Sequence, residues 1–272
     1  MKPLDAHAHL DMDRYSSDRS EVLDECRSLL SGVINPGRDP ESNRESMRLQ
    51  EETDGFVKAN LGLHPTATQD FDRVEEVKRQ IEKNSTFAVG EIGLDHHHVT
   101  EKDLRKRQES VFREMVETAE KKGLPVVVHT RSAEERSIEI LEAYDLTGVY
   151  LHCFNGRPGL AQRATENGWK IGVSTQVLYS DRVGNIVEEI GLENLVLETD
   201  SPFLYRGERN SPVNVLESAE AVSEILDVPE TDVVEETAGN TRELFDLEWF
   251  RPTIKSVQTK HQIWFSKRSR TR

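Results

Sequence analysis

The sequence predicts an α/β fold, specifically a distorted (β/α)8 TIM barrel with a metal site at the C-terminal ends of its strands. Three observations point there. The chain has 272 residues, an ordinary length for one barrel of about 250 residues. Short apolar runs alternate with amphipathic stretches, as in βα units around a parallel sheet. Metal-ligating residues stand at the ends of the apolar runs, where such a barrel builds its active site.

Eight runs read as strands: "PLDAHAHL" near residue 5, "SGVINPG" near 33, "FVKANLGLHP" near 60, "FAVGEIGLD" near 90, "LPVVVHTR" near 127, "GVYLHCF" near 150, "WKIGVST" near 172 and "LVLETDSPF" near 198. Between them lie helical patterns. From Lys102 to Lys122, the residues Leu104, Val111, Phe112, Met115, Val116 and Ala119 make an apolar stripe that Gly123 and Pro125 terminate. From Asn214 to Leu226, the stripe is Val215, Leu216, Ala219, Val222 and Ile225. Both stripes are expected to pack on the barrel. Residues 1–250 are expected to form one hydrolase domain, and residues 251–272 a basic, flexible tail.

Hydrophobic content is 35% and charged content 31%, enough for a core under a heavily ionised surface. The net charge of -15 hides an asymmetry. The tail holds seven Lys or Arg and no acid, leaving 28 basic against 50 acidic side chains in residues 1–250. A surface that acidic repels nucleic acid at long range, so phosphate chemistry here requires local arginines or metals. It also suits concentrated salt, where repulsion is screened within roughly 3 Å at 1 M, and a halophilic source is one expectation. Cys26 and Cys153 offer neither a disulfide framework nor thiolate metal spacing. With no signal region and no apolar run long enough to span a bilayer, the expected location is cytoplasmic. No phosphate loop or dinucleotide fingerprint is present.

The segment Asp5-Ala6-His7-Ala8-His9-Leu10 sets a carboxylate and two imidazoles at alternate positions. In an extended strand these three share a face. Further ligand types recur at the ends of later runs: Glu91, His129, His152 and Asp200. Six such groups at one mouth, in a chain with nine histidines, predict a metal centre. Nitrogen and oxygen donors without thiolates suit Zn²⁺, Mn²⁺ or Mg²⁺, and a bridging carboxylate suits a two-ion hydrolytic centre. The expected partition gives one ion His7, His9, Glu91 and Asp200, and the second Glu91, His129 and His152. Asp200 is placed to accept the proton of the attacking water and return it to the leaving group. Asp5 and Glu198, each two residues from a ligand, are candidates for orienting the imidazoles.

These residues resemble the TatD-type metal-dependent deoxyribonucleases of the amidohydrolase superfamily. The resemblance runs through "DAHAHL", "GLHP", "VGEIGLD", "LPVVVHTR", "HCFNG", "LETDSP", "RNSPVNV" and "GNTRELF". It implies a distorted TIM barrel, two divalent metal ions and hydrolysis of DNA phosphodiesters from the 3′ end, with single strands or 3′ ends as substrate. It supports the six ligands, with Glu91 and Asp200 catalytic. It implies that His64 binds or polarises the scissile phosphate, and that Asn155 and Arg209 lie in substrate loops. The chain departs from the family after Asp95, where His96, His97 and His98 replace the usual aromatic residue and a nearby arginine. A solvated loop is expected there. Cys153 is expected to face away from the ligand beside it. The alternatives are a metal-dependent ester or amide hydrolase, such as an aminoacyl-tRNA deacylase, and a non-catalytic nucleic-acid-binding protein. Phosphate-binding side chains at the mouth, drawn from His64, His97, His98, Arg131 and Arg209, would favour the nuclease.

Overall fold

All eight apolar runs form strands, and every strand pair is parallel, in a computed structural model that describes residues 1–247. The strands are β1 (Leu4–Asp5), β2 (Gly32–Pro36), β3 (Val57–Asn60), β4 (Val89–Asp95), β5 (Val126–Arg131), β6 (Val149–His152), β7 (Lys170–Val173) and β8 (Leu195–Leu197). The helices among the described residues are α1 (Arg19–Leu29), α2 (Pro40–Glu52), α3 (Val74–Lys83), α4 (Lys102–Lys122), α5 (Glu134–Leu141), α6 (Pro158–Glu166), α7 (Asp181–Ile190), α8 (Val215–Leu226) and α9 (Glu230–Phe245). The expected tail, 251–272, lies outside the described residues.

The strands form two ladders, β1-β2-β3 and β4-β5-β6-β7-β8. Two seams join them. At one, Ala8 bridges Ser201, and the Ala6 N–H donates to the Leu197 carbonyl at 3.1 Å. At the other, Leu61 bridges Val89, and the Glu91 N–H donates to the Gly37 carbonyl at 3.1 Å. The seams explain the "distorted" barrel. They also correct the expectation for "DAHAHL": only Leu4 and Asp5 form a ladder strand. His7 and His9 follow in irregular backbone held to β8, with the Asp200 N–H donating to the His7 carbonyl at 2.9 Å and the His9 N–H to Ser201 at 2.7 Å.

Local chemistry sets the helix limits. α2 starts at Asp39, whose carboxylate accepts from the N–H groups of Glu41 and Ser42, both at 2.9 Å, with Pro40 as its first residue. α4 ends at Gly123 in the left-handed region at φ 62°, the conformation a helix C-cap needs. Val111, Phe112, Met115, Val116 and Ala119 of the α4 stripe are buried in the main core, where α4 packs on β4, while Leu104 is half-buried. Inside the barrel, Leu4, Ala6, Ile34, Val127, Tyr150 and Val196 form a second cluster against which Phe245 of α9 packs.

Gly93 marks a tight backbone approach in this architecture. It pairs in register with His129, at φ +142°, and a Cβ there would meet the His129 carbonyl oxygen at 2.0 Å. Gly93→Ala is expected to cost about 2–4 kcal/mol by strain and overpacking, read as a lowered urea midpoint. An unchanged midpoint would show that β4 and β5 can move apart at no cost.

Candidate metal centre

Glu91, mid-strand on β4 and only 1% exposed, is the hub. Its Oε1 lies 3.0 Å from His129 Nδ1, 3.2 Å from His64 Nε2 and 3.4 Å from His152 Nε2. Its Oε2 lies 3.4 Å from His7 Nε2 and 3.8 Å from His9 Nε2. Asp200 follows β8 at φ 53° and reaches His9 Nε2 at 3.4 Å. The structure therefore brings together all six expected ligands. Their donor atoms fall into three overlapping groups: His7, Glu91 and His152; His7, His9 and Asp200; and His64, Glu91 and His129.

This grouping differs from the expected partition in two ways. His152 sits with His7, the rings stacked at 3.6 Å between centroids, whereas its centroid is 6.0 Å from that of His129. The cause is Glu198, which accepts from His152 Nδ1 at 3.0 Å and from the Cys153 N–H at 2.6 Å, and is also bonded by the Tyr150 hydroxyl. The second difference is His64, expected at the substrate, whose Nε2 joins the ligand atoms.

Carboxylates brace the imidazoles from outside. Asp95, the last residue of β4, accepts from His129 Nε2 at 3.1 Å, leaving Nδ1 to face Glu91. A carboxylate behind a ligating histidine fixes its tautomer and raises its basicity. Asp95 also accepts from the His97 and His98 N–H groups and pairs with His98 Nδ1 at 2.8 Å. Sequence reasoning passed over Asp95, although its place four residues after Glu91 on one strand gives the same facing. Glu198 fulfils the orienting expectation for His152. Asp5 instead holds backbone, accepting from the N–H groups of His7 and Thr199 and from the Thr199 hydroxyl at 2.6 Å.

Burial raises the Glu91 carboxyl, but the surrounding histidines outweigh it and hold the group well below the usual range. Burial and the neighbouring His152 push His7 down, and burial also lowers His64. His152 goes the other way: burial lowers it, while Glu198 and Glu91 raise it further, to about 10. His129 is likewise raised, because Asp95 and Glu91 outweigh burial. Both shifts favour the imidazolium form beside the carboxylates.

The mouth is a cavity of about 290 Å³ lined by His9, His64, Glu91, His129, His152 and Asp200 together with Arg38 and Phe203. Arg38, also missed in the sequence, pairs with Asp11 at 2.8 Å. Of the five side chains expected to meet phosphate, His64 alone lines this cavity. Arg209 is held by Asp18 at 2.5 and 2.8 Å and lies over the Tyr15 ring. Asn155 and His96 open instead into a neighbouring groove of about 1010 Å³. His98 is exposed. The Cys153 thiol turns to the Ser174 hydroxyl at 3.6 Å, and burial raises its pKa, which disfavours the thiolate.

The donor set fits divalent ions. Both ring nitrogens of His7, Nδ1 of His9 and Oε2 of Glu91 are buried without hydrogen-bond partners, a state that costs roughly 1–3 kcal/mol per atom unless something is bound. Asp95→Asn is expected to weaken Zn²⁺ or Mn²⁺ binding by about 10–100-fold, read by calorimetry; unchanged affinity would remove Asp95 from the centre. Ligation also requires neutral imidazoles. His129 and His152, raised above 6.5, must therefore lose protons, so metal affinity should rise as pH rises towards 10. At pH 7, titrations in buffers of different ionisation enthalpy should show net proton release. Absence of release would mean the histidines are already neutral.

Comparison with known proteins agrees with this geometry. The family model for TatD related DNase matches residues 4–246. The metal-dependent hydrolase YabD of Bacillus subtilis is 30% identical over 90% of this chain and 99% of its own. The human deoxyribonuclease TATDN3 is 28% identical over 89% and 94%. The crystal structure of the TatD homologue YjjV from Escherichia coli superposes with a TM-score of 0.80 at 26% identity, covering 90% of this chain and 98% of that one. A TIM-barrel-type fold, a histidine and carboxylate cluster at its mouth and a match along nearly the whole described chain agree: the chain belongs to the TatD family of metal-dependent hydrolases.

Proposed function

We propose that this hydrolase cleaves DNA phosphodiester bonds with two divalent ions, removing nucleotides from the 3′ end of single strands. The observation that carries the two-ion reading is Glu91, whose Oε1 faces His129 and His64 and whose Oε2 faces His7 and His9, with His152 near Oε1 but stacked on His7. The name of the human relative, a deoxyribonuclease, supports the substrate class. When bound, divalent ions supply Lewis-acid stabilisation of phosphoryl charge and lower the pKa of water.

The chain's own groups do the rest. Asp200 is ionised, since His9, His152 and His7 lower its carboxyl against burial. It is therefore free to take a proton from the attacking water and return it to the leaving oxygen. Arg38 offers the cavity a guanidinium for a phosphate oxygen. His64, lowered by burial and with Nε2 3.2 Å from Glu91, would join His129 in holding an ion rather than contact the phosphate. Asn155, which opens into the neighbouring groove, contacts the strand away from the reacting bond, whereas Arg209 would do so only by leaving Asp18.

The test is hydrolysis of a labelled single-stranded oligonucleotide by metal-stripped protein with Mg²⁺, Mn²⁺ or Zn²⁺ restored singly. Metal-dependent shortening from the 3′ end is expected, and Asp200→Asn should lower kcat by about 10²–10⁴-fold with the fold intact. Near-normal turnover by that variant would remove Asp200 from proton transfer. Bound metal without shortening would transfer the activity to an ester or amide substrate.

A further inference from the structure

Tyr179 and Phe203 are the large hydrophobic side chains most exposed among the described residues, at 50% and 38%. Both line one open groove of about 420 Å³ with Arg14, Leu204 and Arg206, and Glu208 is the acid in its lining. Phe203 also lines the metal cavity, its ring centroid 6.1 Å from that of His9. The groove is therefore continuous with the mouth, and Tyr179, absent from the cavity lining, stands farther out along it.

This apolar surface is held in place. The buried Asn210 amide donates to the Phe203 carbonyl at 2.7 Å, to the Thr199 carbonyl at 2.9 Å and to the Thr175 hydroxyl at 3.0 Å. The Tyr179 hydroxyl and the Thr175 hydroxyl both donate to the Leu204 carbonyl, at 3.2 and 2.7 Å. The cations differ from those on the helical surface, where glutamates hold Arg48, Arg73, Arg136 and Arg163. Among the described residues no carboxylate pairs with Arg14 or Arg206; the Arg14 guanidinium lies 5.7 Å from the Phe203 ring centroid. Rigid exposed aromatic rings beside cations without acid partners form the surface on which single-stranded nucleic acid stacks its bases.

We propose that this groove is the base-binding subsite for single-stranded DNA. Phe203 stacks the base next to the scissile phosphodiester, Tyr179 stacks a base farther along, and Arg14 and Arg206 meet the phosphates between. The proposal rests on the nuclease reading and adds the site that selects unpaired strands, because bases paired inside a duplex present no free face to the rings.

The experiment compares binding of labelled oligothymidylate and of an abasic strand of equal length by fluorescence anisotropy. It uses the full chain in chelator, so that neither is consumed. The wild-type chain should bind oligothymidylate at least fivefold tighter than the abasic strand. Phe203→Ala combined with Tyr179→Ala should abolish that preference while leaving abasic binding unchanged, and Phe203→Trp should retain it. Equal wild-type binding of both strands, or equal loss of both in the variant, overturns the subsite. A groove that seats a second copy of the chain would give a dimer in sedimentation that Phe203→Ala dissociates, with no base preference, and would overturn it too. Metal-dependent oligonucleotide shortening without base preference would leave the nuclease reading standing alone; neither shortening nor binding would remove both.

Discussion

A carboxylate that is almost wholly buried, Glu91, sets the terms for the rest of the molecule. Removing an ion of this size from water costs several kcal/mol even after relaxation, so positive charge must surround it. Five imidazoles approach within 3.8 Å. They come from segments near β1, β3, β5 and β6, and only a parallel barrel gathers those strand ends at one mouth. The hub thus explains the demand on the fold as well as the chemistry. The carboxylates raise His129 and His152 above the usual imidazole value, and ligation of divalent ions would require those protons to leave. Folding and metal binding draw on the same electrostatic need.

The outer carboxylates complete this balance and divide the labour. Asp95 aims the Nδ1 of His129 at Glu91, and Glu198 turns His152 towards His7. Asp5 works one step further back, by tying the His7 backbone to Thr199 and so closing the seam between the first and last strands. Each carboxylate is itself buried, where an unmet bond is costly. These bonds orient the imidazoles around Glu91, the preorganisation a binding site needs.

Much of this was legible in the sequence, for identifiable reasons. Strands buried on both faces read as continuous apolar runs, so "LPVVVHTR" and "GVYLHCF" announced β5 and β6 with a histidine at each end. The α4 stripe and its Gly123 terminus were equally plain. What spacing does not encode is which partner a ring turns to. His152 looked like a companion of His129 until the Glu198 bond rotated it towards His7. Arg209 looked free to meet substrate, yet Asp18, 191 residues away in sequence, captures it. β1 looked like a full strand, but its ligand-bearing half takes its bonds from β8 loops. Asp95 is legible by strand alternation with Glu91, but spacing alone does not show that its carboxylate turns to His129.

The charge of the chain bears on how it holds its proposed substrate. With 28 basic and 50 acidic side chains in residues 1–250, long-range attraction to a polyanion is absent from this part of the molecule, and among the described residues many arginines are already paired with carboxylates. Phosphate contacts also weaken steeply as salt rises, because their strength comes largely from counterion release. Stacking on an aromatic ring has no such dependence, since the base face is uncharged. An acidic enzyme acting on DNA is therefore driven towards affinity from bases rather than backbone, with cations confined to the few places where a phosphate must sit. Phe203 beside His9, with Arg14 over its ring and Arg38 across the mouth, has that arrangement: one apolar face for a base, and positive charge only around the bond to be broken.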